Sequence, residues 1–261
     1  MRMTVRRAKG SDLGRVAAAA LLALGITAGA SASAETETVN KTAAIAQGGR
    51  LIVKNFSGSV QITGTDRSDV SVHAVRRAPK ERLDRIQLDV SSNGQDVTIE
   101  ANRRQDTRKE NENVVETDLT IEVPRQVSLQ VDVFSSPVTV RGVTAASHHV
   151  KTFSGAIALG DVSGSMDAET FSGSIRLTPA GWKGDEQVRC KTFSGDIEVT
   201  LPQNASAAVE FNSFSGDLDT KLPLVLRTAS KKNIRAELNI SQGTSHGMLA
   251  FNTFSGDVRL R

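Results

Sequence analysis

From residue 50 onward, apolar and polar residues alternate along most of the chain, which is typical of β-strands with one buried and one solvent-facing side. This alternation predicts strands at 50–54, 59–63, 69–76, 86–91, 96–101, 115–123 and 127–133. Gly64-Thr65-Asp66 and Asn93-Gly94 supply turns between them. The interruption at 79–85 (P-K-E-R-L-D-R) fits a single helical turn, with Leu83 and Ile86 directed inward. The pattern predicts an all-β protein.

A short motif, F-S-G-x-[V/I/L]-x-[apolar], recurs six times, with Thr220 in place of the last apolar residue in one copy, and dominates the second half of the chain. Degenerate copies begin at Phe134 and Val162. From Phe134 onward the spacings are 19, 9, 9, 22, 21 and 40 residues, a period near 20 with a half-period near 10. The repeat residues shared by all six copies are Phe56 and Gly58, Phe153 and Gly155, Phe171 and Gly173, Phe193 and Gly195, Phe214 and Gly216, and Phe254 and Gly256.

Each copy has a simple physical interpretation. Ser-Gly makes a corner in which glycine is free to take positive φ, and the residues after it alternate, as in Ile175-Arg176-Leu177. The Phe is expected to face the interior, since an exposed row of aromatic rings would favour aggregation. Units with one apolar face must stack to bury it. We therefore predict a single-domain β-solenoid, a β-helix or β-roll with rungs of about 20 residues, with an antiparallel β-sandwich as the alternative.

The same repeats carry a family resemblance. The F-S-G-D-[IV]-x-[VL] copies, together with L-T-I-E-V-P-R (119–125) leading into L-Q-V-D-V-F-S-S-P-V-T-V (129–140), resemble the bacterial "putative adhesin" domain of unknown function. The resemblance covers roughly residues 50–261. It implies an extracytoplasmic β-solenoid of envelope or cell-surface proteins without an established enzymatic activity, and it carries over no functional residues.

The chain divides into three predicted segments. Residues 1–34 have a basic start, an apolar core at Val16–Ala30 and an Ala32-Ser33-Ala34 cleavage site, which predicts a secretory signal peptide. Residues 35–49 are polar and are expected to form a flexible segment or an edge cap, and residues 50–261 form the repeat domain. Removing the signal peptide changes the net charge from +3 to −1, since 27 basic and 28 acidic residues remain. The net charge therefore gives no electrostatic reason to expect nucleic acid as a partner.

Candidate chemistry is sparse, and we predict no catalytic residue, no metal site and no cofactor. Asp196, Asp217 and Asp257 share one position after the corner glycine, but the same position holds Ala156, which indicates turn chemistry rather than catalysis. The single cysteine, Cys190, is expected to be a buried small hydrophobe. The histidines are expected to be exposed, with the adjacent His148 and His149 on opposite faces of a strand.

Loops supply the remaining features. The charged run 102–113 is expected to be a solvated hairpin tip, and residues 180–187 and 227–240 are longer excursions between repeats. Trp182 lies between two glycines in the first of these excursions. A tryptophan has little reason to be buried there, so Trp182 is a weak binding candidate for a sugar or a protein.

These features predict an exported, non-enzymatic envelope protein, an adhesin-like binding module that uses a repetitive β face. Its exposed positions include Lys54, Gln61, Arg176, Glu198, Asp219 and Arg259. The expected ligand is an envelope or cell-surface glycan or protein, and the mature chain has no integral membrane segment. The periplasm is favoured over the cell surface or secretion. A polysaccharide-acting β-helix enzyme with stacked Asp residues and a self-associating structural envelope protein remain as alternatives.

Overall fold

The structure is a computed structural model that describes residues 34–104, 114–230, 232–238 and 247–261. Within these residues the chain forms strands joined by tight corners and one short helix, α1 (Lys80–Arg85). The strands are β1 (Glu35–Ala44), β2 (Arg50–Ser57), β3 (Val60–Thr65), β4 (Asp69–Ala78), β5 (Ile86–Ser92), β6 (Asp96–Arg104), β7 (Glu116–Pro124), β8 (Ser128–Ser135), β9 (Val138–Arg141), β10 (Ser147–Ser154), β11 (Ile157–Val162), β12 (Ser165–Ser172), β13 (Ile175–Pro179), β14 (Gln187–Ser194), β15 (Ile197–Val199), β16 (Ala207–Ser215), β17 (Leu218–Thr220), β18 (Leu224–Ser230), β19 (Asn233–Leu238), β20 (Met248–Ser255) and β21 (Val258–Leu260).

The strands belong to two large mixed sheets, and the repeat region alternates between them at every corner. The ten-stranded sheet has the order β1-β4-β7-β3-β9-β11-β13-β15-β21-β17, and the eleven-stranded sheet has the order β18-β19-β16-β20-β14-β12-β10-β8-β2-β6-β5. Strands that carry the repeat pair in parallel with one another, whereas β1, β4, β5, β18 and β19 pair only in antiparallel fashion. The all-β prediction is confirmed.

Parallel pairing places equivalent repeat residues side by side. In the eleven-stranded sheet Thr152 is opposite Thr170 and Ser154 is opposite Ser172, while in the other sheet Ile157 is opposite Ile175. The stacking order nevertheless differs from the chain order. The C-terminal strands β20 and β21 lie between β14 and β16 and between β15 and β17, so the last repeat is inserted between two earlier ones.

One hydrophobic cluster fills the space between the two sheets. Leu51 and Val53 belong to it from the eleven-stranded sheet, and Val60 and Ile62 belong to it from the ten-stranded sheet. The inward apolar residues of the other repeat strands continue the cluster along both sheets. These inward positions are the apolar members of the alternating pattern, and burying them supplies the main stabilisation of such a fold. A smaller cluster beside α1 holds Ile86, with Leu83 packed against it, as the sequence predicts.

The N-terminal part differs from its expectation. Glu35–Ala44 form a regular strand that pairs over its whole length with β4 at the edge of the ten-stranded sheet. Of the two alternatives for residues 35–49, the flexible segment is therefore wrong for these residues, and the edge cap agrees with their place at the edge of the sheet. Their polar character reflects an edge strand exposed to solvent along most of its length. The predicted signal peptide, apart from Ala34, and residues 105–113 of the charged run lie outside the described residues.

Candidate binding face

The repeat phenylalanines lie on the outside of the protein. Each of the seven Phe residues that open a repeat is 43–58% exposed, whereas the two that do not, Phe211 and Phe251, are fully buried. The prediction of an interior aromatic row is therefore wrong. Val162 opens the degenerate copy that has no Phe. It is buried because it lies at the opposite corner, where the chain returns to the eleven-stranded sheet.

The alternation of the strand explains this placement. In β10, Val150 and Thr152 point inward and are almost fully buried, so Lys151 and Phe153 must point outward. Three of these inward threonines, Thr152, Thr170 and Thr192, donate their hydroxyl hydrogen to a carbonyl oxygen at the corner of the adjacent strand. Thr170 Oγ1, for example, donates to the Gly155 carbonyl oxygen at 3.2 Å. The threonine thus occupies the position that the sequence interpretation assigned to phenylalanine.

The exposed rings form one continuous stack, which we call the phenylalanine ladder. Neighbouring ring centroids are 4.6–4.9 Å apart, and the planes of neighbouring rings differ by 1–14°. This distance is the spacing of hydrogen-bonded strands, so the register of the sheet imposes the stacking. In order along the sheet, the ladder consists of Phe56, Phe134, Phe153, Phe171, Phe193, Phe254 and Phe214.

At one end the ladder is closed by a cation. Lys232 Nζ lies 4.5 Å from the centroid of the Phe214 ring, which is a favourable cation–π distance. The faces of the inner rings are covered by their neighbours. The ladder therefore presents ring edges, a ridge of C–H groups, to the solvent.

A second row of outward side chains runs beside the ladder, two residues earlier in each strand. We call it the charged column. Its members alternate in sign along six adjacent strands, in the order Glu100, Lys54, Asp132, Lys151, Glu169 and Lys191. Lys151 Nζ lies 3.5 Å from Glu169 Oε1. Beyond Lys191 the column continues with Asn252 and Asn212, whose side-chain amides are hydrogen-bonded at 3.4 Å.

Between the ladder and the charged column lies an open groove of about 1220 Å³. The ladder lines one side and the charged column the other, with the threonine positions, such as Thr152, between them. We refer to the ladder, groove and charged column together as the binding face. The sequence interpretation named only Lys54 from this charged column. The sequence does contain a pattern that indicates the charged column, since a charged or polar residue stands two positions before each Phe that opens a repeat.

The corner glycines hold the binding face in register. Gly155, Gly173, Gly195 and Gly256 have φ values of +143 to +154°, a conformation that L-residues rarely adopt. A Cβ atom on Gly173 would also lie 2.1 Å from the Gly155 carbonyl oxygen of the adjacent strand. Glycine is required here both for its conformation and for the close approach of neighbouring corners.

The three aspartates after the glycine link successive corners. Asp196 Oδ1 accepts a hydrogen bond from the Asp257 backbone N–H at 3.0 Å, and Asp257 Oδ1 accepts one from the Asp217 N–H at 3.1 Å. The bond from the Asp257 N–H, together with the Arg259 guanidinium, lowers the pKa of Asp196. A general acid needs a raised pKa, so this arrangement favours the structural interpretation.

Burial sets the pKa of one residue of the histidine pair and of the cysteine. His148 is buried and its Nε2 lies 3.1 Å from the Ser163 carbonyl oxygen, while His149, on the other face, pairs with Asp167 at 3.4 Å. The expectation of exposed histidines is thus wrong for His148, whose pKa is lowered by burial. Cys190 is buried, as predicted, and burial raises the pKa of its thiol to about 12.

Trp182 contributes to packing. Its Nε1 donates to the Ser206 carbonyl oxygen at 2.9 Å, and its ring packs against the main core. The Glu186 carboxylate orders the same loop by accepting the N–H groups of Lys183 and Gly184. This differs from the expectation of a tryptophan with little reason to be buried, and Trp182 lies away from the binding face.

Two further properties can be stated for the part of the chain that the structure describes. It brings together no group of three or more His, Cys, Asp or Glu side chains that could hold a metal ion. Nor does it contain a helix with the length and apolar character that a membrane crossing requires.

Comparison with known proteins identifies the family. The chain is similar to a "putative cell adhesion protein" from Clostridium sporogenes, with 10% identity over 87% of this chain and 99% of that one and a TM-score of 0.52. It is also similar to a "putative adhesin" from Bacteroides fragilis, with 10% identity over 86% and 97% and a TM-score of 0.35. The search of curated proteins finds no match. A family model described as Toastrack DUF4097 matches residues 117–261. Because this match spans more than half of the chain, the protein belongs to the Toastrack DUF4097 family.

Proposed function

We propose that this protein is an exported, non-enzymatic, adhesin-like module of the bacterial envelope that binds a protein partner through the phenylalanine ladder and the charged column beside it. The observation that carries the proposal is the exposure of seven stacked aromatic rings at 43–58%. A contiguous apolar strip on a protein surface marks an interaction site more often than an accident of packing.

The proposed scaffold is a β-solenoid with two strands per rung. Support comes from the alternation of the repeat region between the two sheets and from the parallel, in-register pairing of equivalent strands. Ten and eleven strands at about 4.8 Å spacing correspond to a length of roughly 50 Å. A repetitive scaffold of this kind presents one rigid, extended surface.

The orientation of the rings favours a protein partner over a sugar or a nucleobase. Platforms that bind bases use exposed aromatic faces, on which the ligand stacks, and sugars are held in a similar way. In the ladder, neighbouring planes are almost parallel and cover one another's faces. Ring edges flanked by charges instead resemble the apolar centre and polar rim of a protein–protein interface.

The non-enzymatic character rests on the carboxylates. The three aspartates after the corner glycine are the strongest catalytic candidate in the sequence, but hydrogen bonds to neighbouring corners occupy Asp196 and Asp257. The lowered pKa of Asp196 keeps that carboxylate ionised at neutral pH. An ionised carboxylate cannot donate a proton to a glycosidic oxygen.

Export rests on the leader at residues 1–34, whose basic, apolar and small-residue parts follow the order of a secretory signal. The periplasm is the favoured location. A C-terminal epitope tag probed on intact cells, and again after permeabilising the outer membrane, tests this. Labelling only after permeabilisation supports a periplasmic partner, and labelling of intact cells contradicts the periplasmic location.

The experiment for the binding face measures how much fluorescently labelled purified chain associates with permeabilised cells of the producing bacterium. The test variant is Phe153→Ser/Phe171→Ser/Phe193→Ser, and the single variant Phe171→Ser serves if the triple variant fails to fold. The matched control is Arg176→Ser/Glu198→Ser/Arg259→Ser, which changes outward positions of the ten-stranded sheet.

We expect the test variant to lose binding by about tenfold or more, because aromatic side chains at the centre of an interface carry most of its affinity. The control should bind as the unmodified chain does. Equal binding by the folded test variant, or no binding by the unmodified chain, would overturn the proposal.

A further inference from the structure

Building on the proposed function, we infer that the protein partner is a second copy of the same chain. The two copies would face each other across the binding face, with their strands running in the same direction and the order of the strands reversed. Such an arrangement has a two-fold axis parallel to the strands, which makes the interface isologous.

The first argument is the period of the binding face. Its aromatic rings repeat every 4.6–4.9 Å, and its charges change sign at every strand. An extended peptide lying along the ladder presents side chains of one face about every 6.8 Å, and an α-helix rises about 1.5 Å per residue, so neither keeps step with the ladder. A stack of β-strands has the matching period, and a second copy provides one.

The second argument is that the charged column is complementary to itself when reversed. Its order along six strands is Glu100, Lys54, Asp132, Lys151, Glu169 and Lys191. With the axis between β8 and β10, Asp132 faces Lys151 of the second copy. Lys54 then faces Glu169, and Glu100 faces Lys191. Each of these six charged residues meets an opposite charge, and each pair occurs twice.

The next outward row, four residues before each Phe, is compatible with the same axis. From β6 to β14 it contains Thr98, Ile52, Gln130, His149, Asp167 and Arg189. Reversal places Thr98 opposite Arg189, Ile52 opposite Asp167 and Gln130 opposite His149. No two like charges meet in this row.

The size of the face also fits. Each strand of the face has four outward positions, in β8 Ser128, Gln130, Asp132 and Phe134. Six strands about 4.8 Å apart and four outward positions about 6.8 Å apart cover roughly 780 Å² on each copy. This area is close to the ~800 Å² per partner of a stable, specific interface. Along the ladder, the apolar edges of Phe134 and Phe171 meet those of Phe153 and Phe56 of the second copy, so four of the seven rings in each copy are removed from water.

Charge-reversal substitutions test the inference without shortening the chain. Lys54→Glu places two carboxylates against each other at two places in the interface, and Glu169→Lys places two ammonium groups against each other at the same two places. Each single variant should raise the dimer dissociation constant by about tenfold at low salt, because a favourable ion pair becomes a repulsive one at two places. Sedimentation velocity over a concentration series measures this.

Mixing separates contacts between chains from effects within a chain. In an equimolar mixture of Lys54→Glu and Glu169→Lys, the introduced carboxylate of one variant meets the introduced ammonium group of the other. The unchanged Lys54 and Glu169 also meet, so we expect a heterodimer with the affinity of the unmodified chain. The double variant Lys54→Glu/Glu169→Lys should also dimerise. Within its own chain its charges are the least favourable, since position 54 adjoins Glu100 and Asp132 and position 169 adjoins Lys151 and Lys191.

The outcomes distinguish the two proposals. A chain that stays monomeric at low salt, or a mixture that associates no better than either single variant, overturns the second copy as partner. If the phenylalanine variants still lose binding to permeabilised cells, the proposed function survives and the partner is a different protein. If the chain dimerises but the phenylalanine variants bind cells normally, the proposed function fails and only the self-association is retained.

Discussion

The phenyl ring of Phe153 lies parallel to that of Phe171, with 4.9 Å between the centroids and 1° between the planes, although the two residues are 18 positions apart in the chain. Their strands pair in parallel with Thr152 opposite Thr170, so the hydrogen bonds of the sheet set the distance between the rings. The stack is therefore a direct product of the register. Any change in register would separate the rings.

We expect Phe171→Ala to lower the free energy of unfolding by about 1–3 kcal/mol, because Phe171 stacks on two rings and each contact contributes ~0.5–1.5 kcal/mol. Phe56→Ala should cost about half as much, since among the described residues Phe56 stacks only on Phe134. Urea denaturation followed by circular dichroism measures both. Equal losses for the two variants would show that ring stacking contributes little.

Gly173→Ala should be strongly destabilising. Residue 173 has a φ of +154°, and a Cβ atom there would lie 2.1 Å from the Gly155 carbonyl oxygen. The backbone strain alone costs about 1–3 kcal/mol. Gly94→Ala is the matched control for conformation, since it has a φ of +90° but no atom within 4 Å. Gly181→Ala has neither feature and should leave the melting temperature unchanged.

Thermal unfolding of the three glycine variants gives a ranking. We expect the melting temperature to fall most for Gly173→Ala, less for Gly94→Ala and not at all for Gly181→Ala. If Gly94→Ala were as damaging as Gly173→Ala, the close approach of neighbouring corners would not be the reason for glycine at position 173.

His148 should make the protein less stable in mildly acidic solution. Burial lowers its pKa in the folded chain below the ordinary value of about 6.5. As the pH falls below that value the unfolded chain gains a proton that the folded chain does not, so the free energy of unfolding decreases from about pH 6.5 downward. Above that pH both states are neutral and the effect vanishes.

The variant His148→Gln can still donate a hydrogen bond toward the Ser163 carbonyl oxygen, and it does not titrate. The slope of unfolding free energy against pH between pH 5 and about 6.5 should therefore be shallower in His148→Gln than in the unmodified chain. The same slope in both proteins would mean that the imidazole titrates equally in the folded and unfolded states.

Cys190 should be unreactive in the folded protein. Its thiol is buried and its pKa is raised to about 12, so the thiolate that reacts with alkylating reagents is scarce at pH 8. Iodoacetamide followed by mass spectrometry should label the chain within minutes in denaturant but at a far lower rate without it. Rapid labelling of the folded chain, or a disulfide-linked dimer on a non-reducing gel, would contradict this prediction.

Local patterns were sufficient for much of the architecture. Alternation located the strands from β2 to β8, the helical turn at α1, and the corners at each Ser-Gly pair, because these depend on interactions between residues close in sequence. The direction of the aromatic rings was predicted wrongly. Hydrophobicity suggested that Phe153 is buried, whereas the alternation counted from Val150 places Thr152 inside and Phe153 outside.

Three features needed the tertiary structure. Patterns along the chain predict an all-β protein with a period near 20 residues and a glycine at the corner of six repeats. Only the fold decided that the last repeat lies between Phe193 and Phe214, that Glu35–Ala44 form an edge strand, and that six charges from distant parts of the chain alternate along one column. Strand pairing depends on contacts between residues that are far apart in the chain. Each strand offers the same hydrogen-bonding groups to any neighbour, so the order in which strands stack depends on how the whole core is filled.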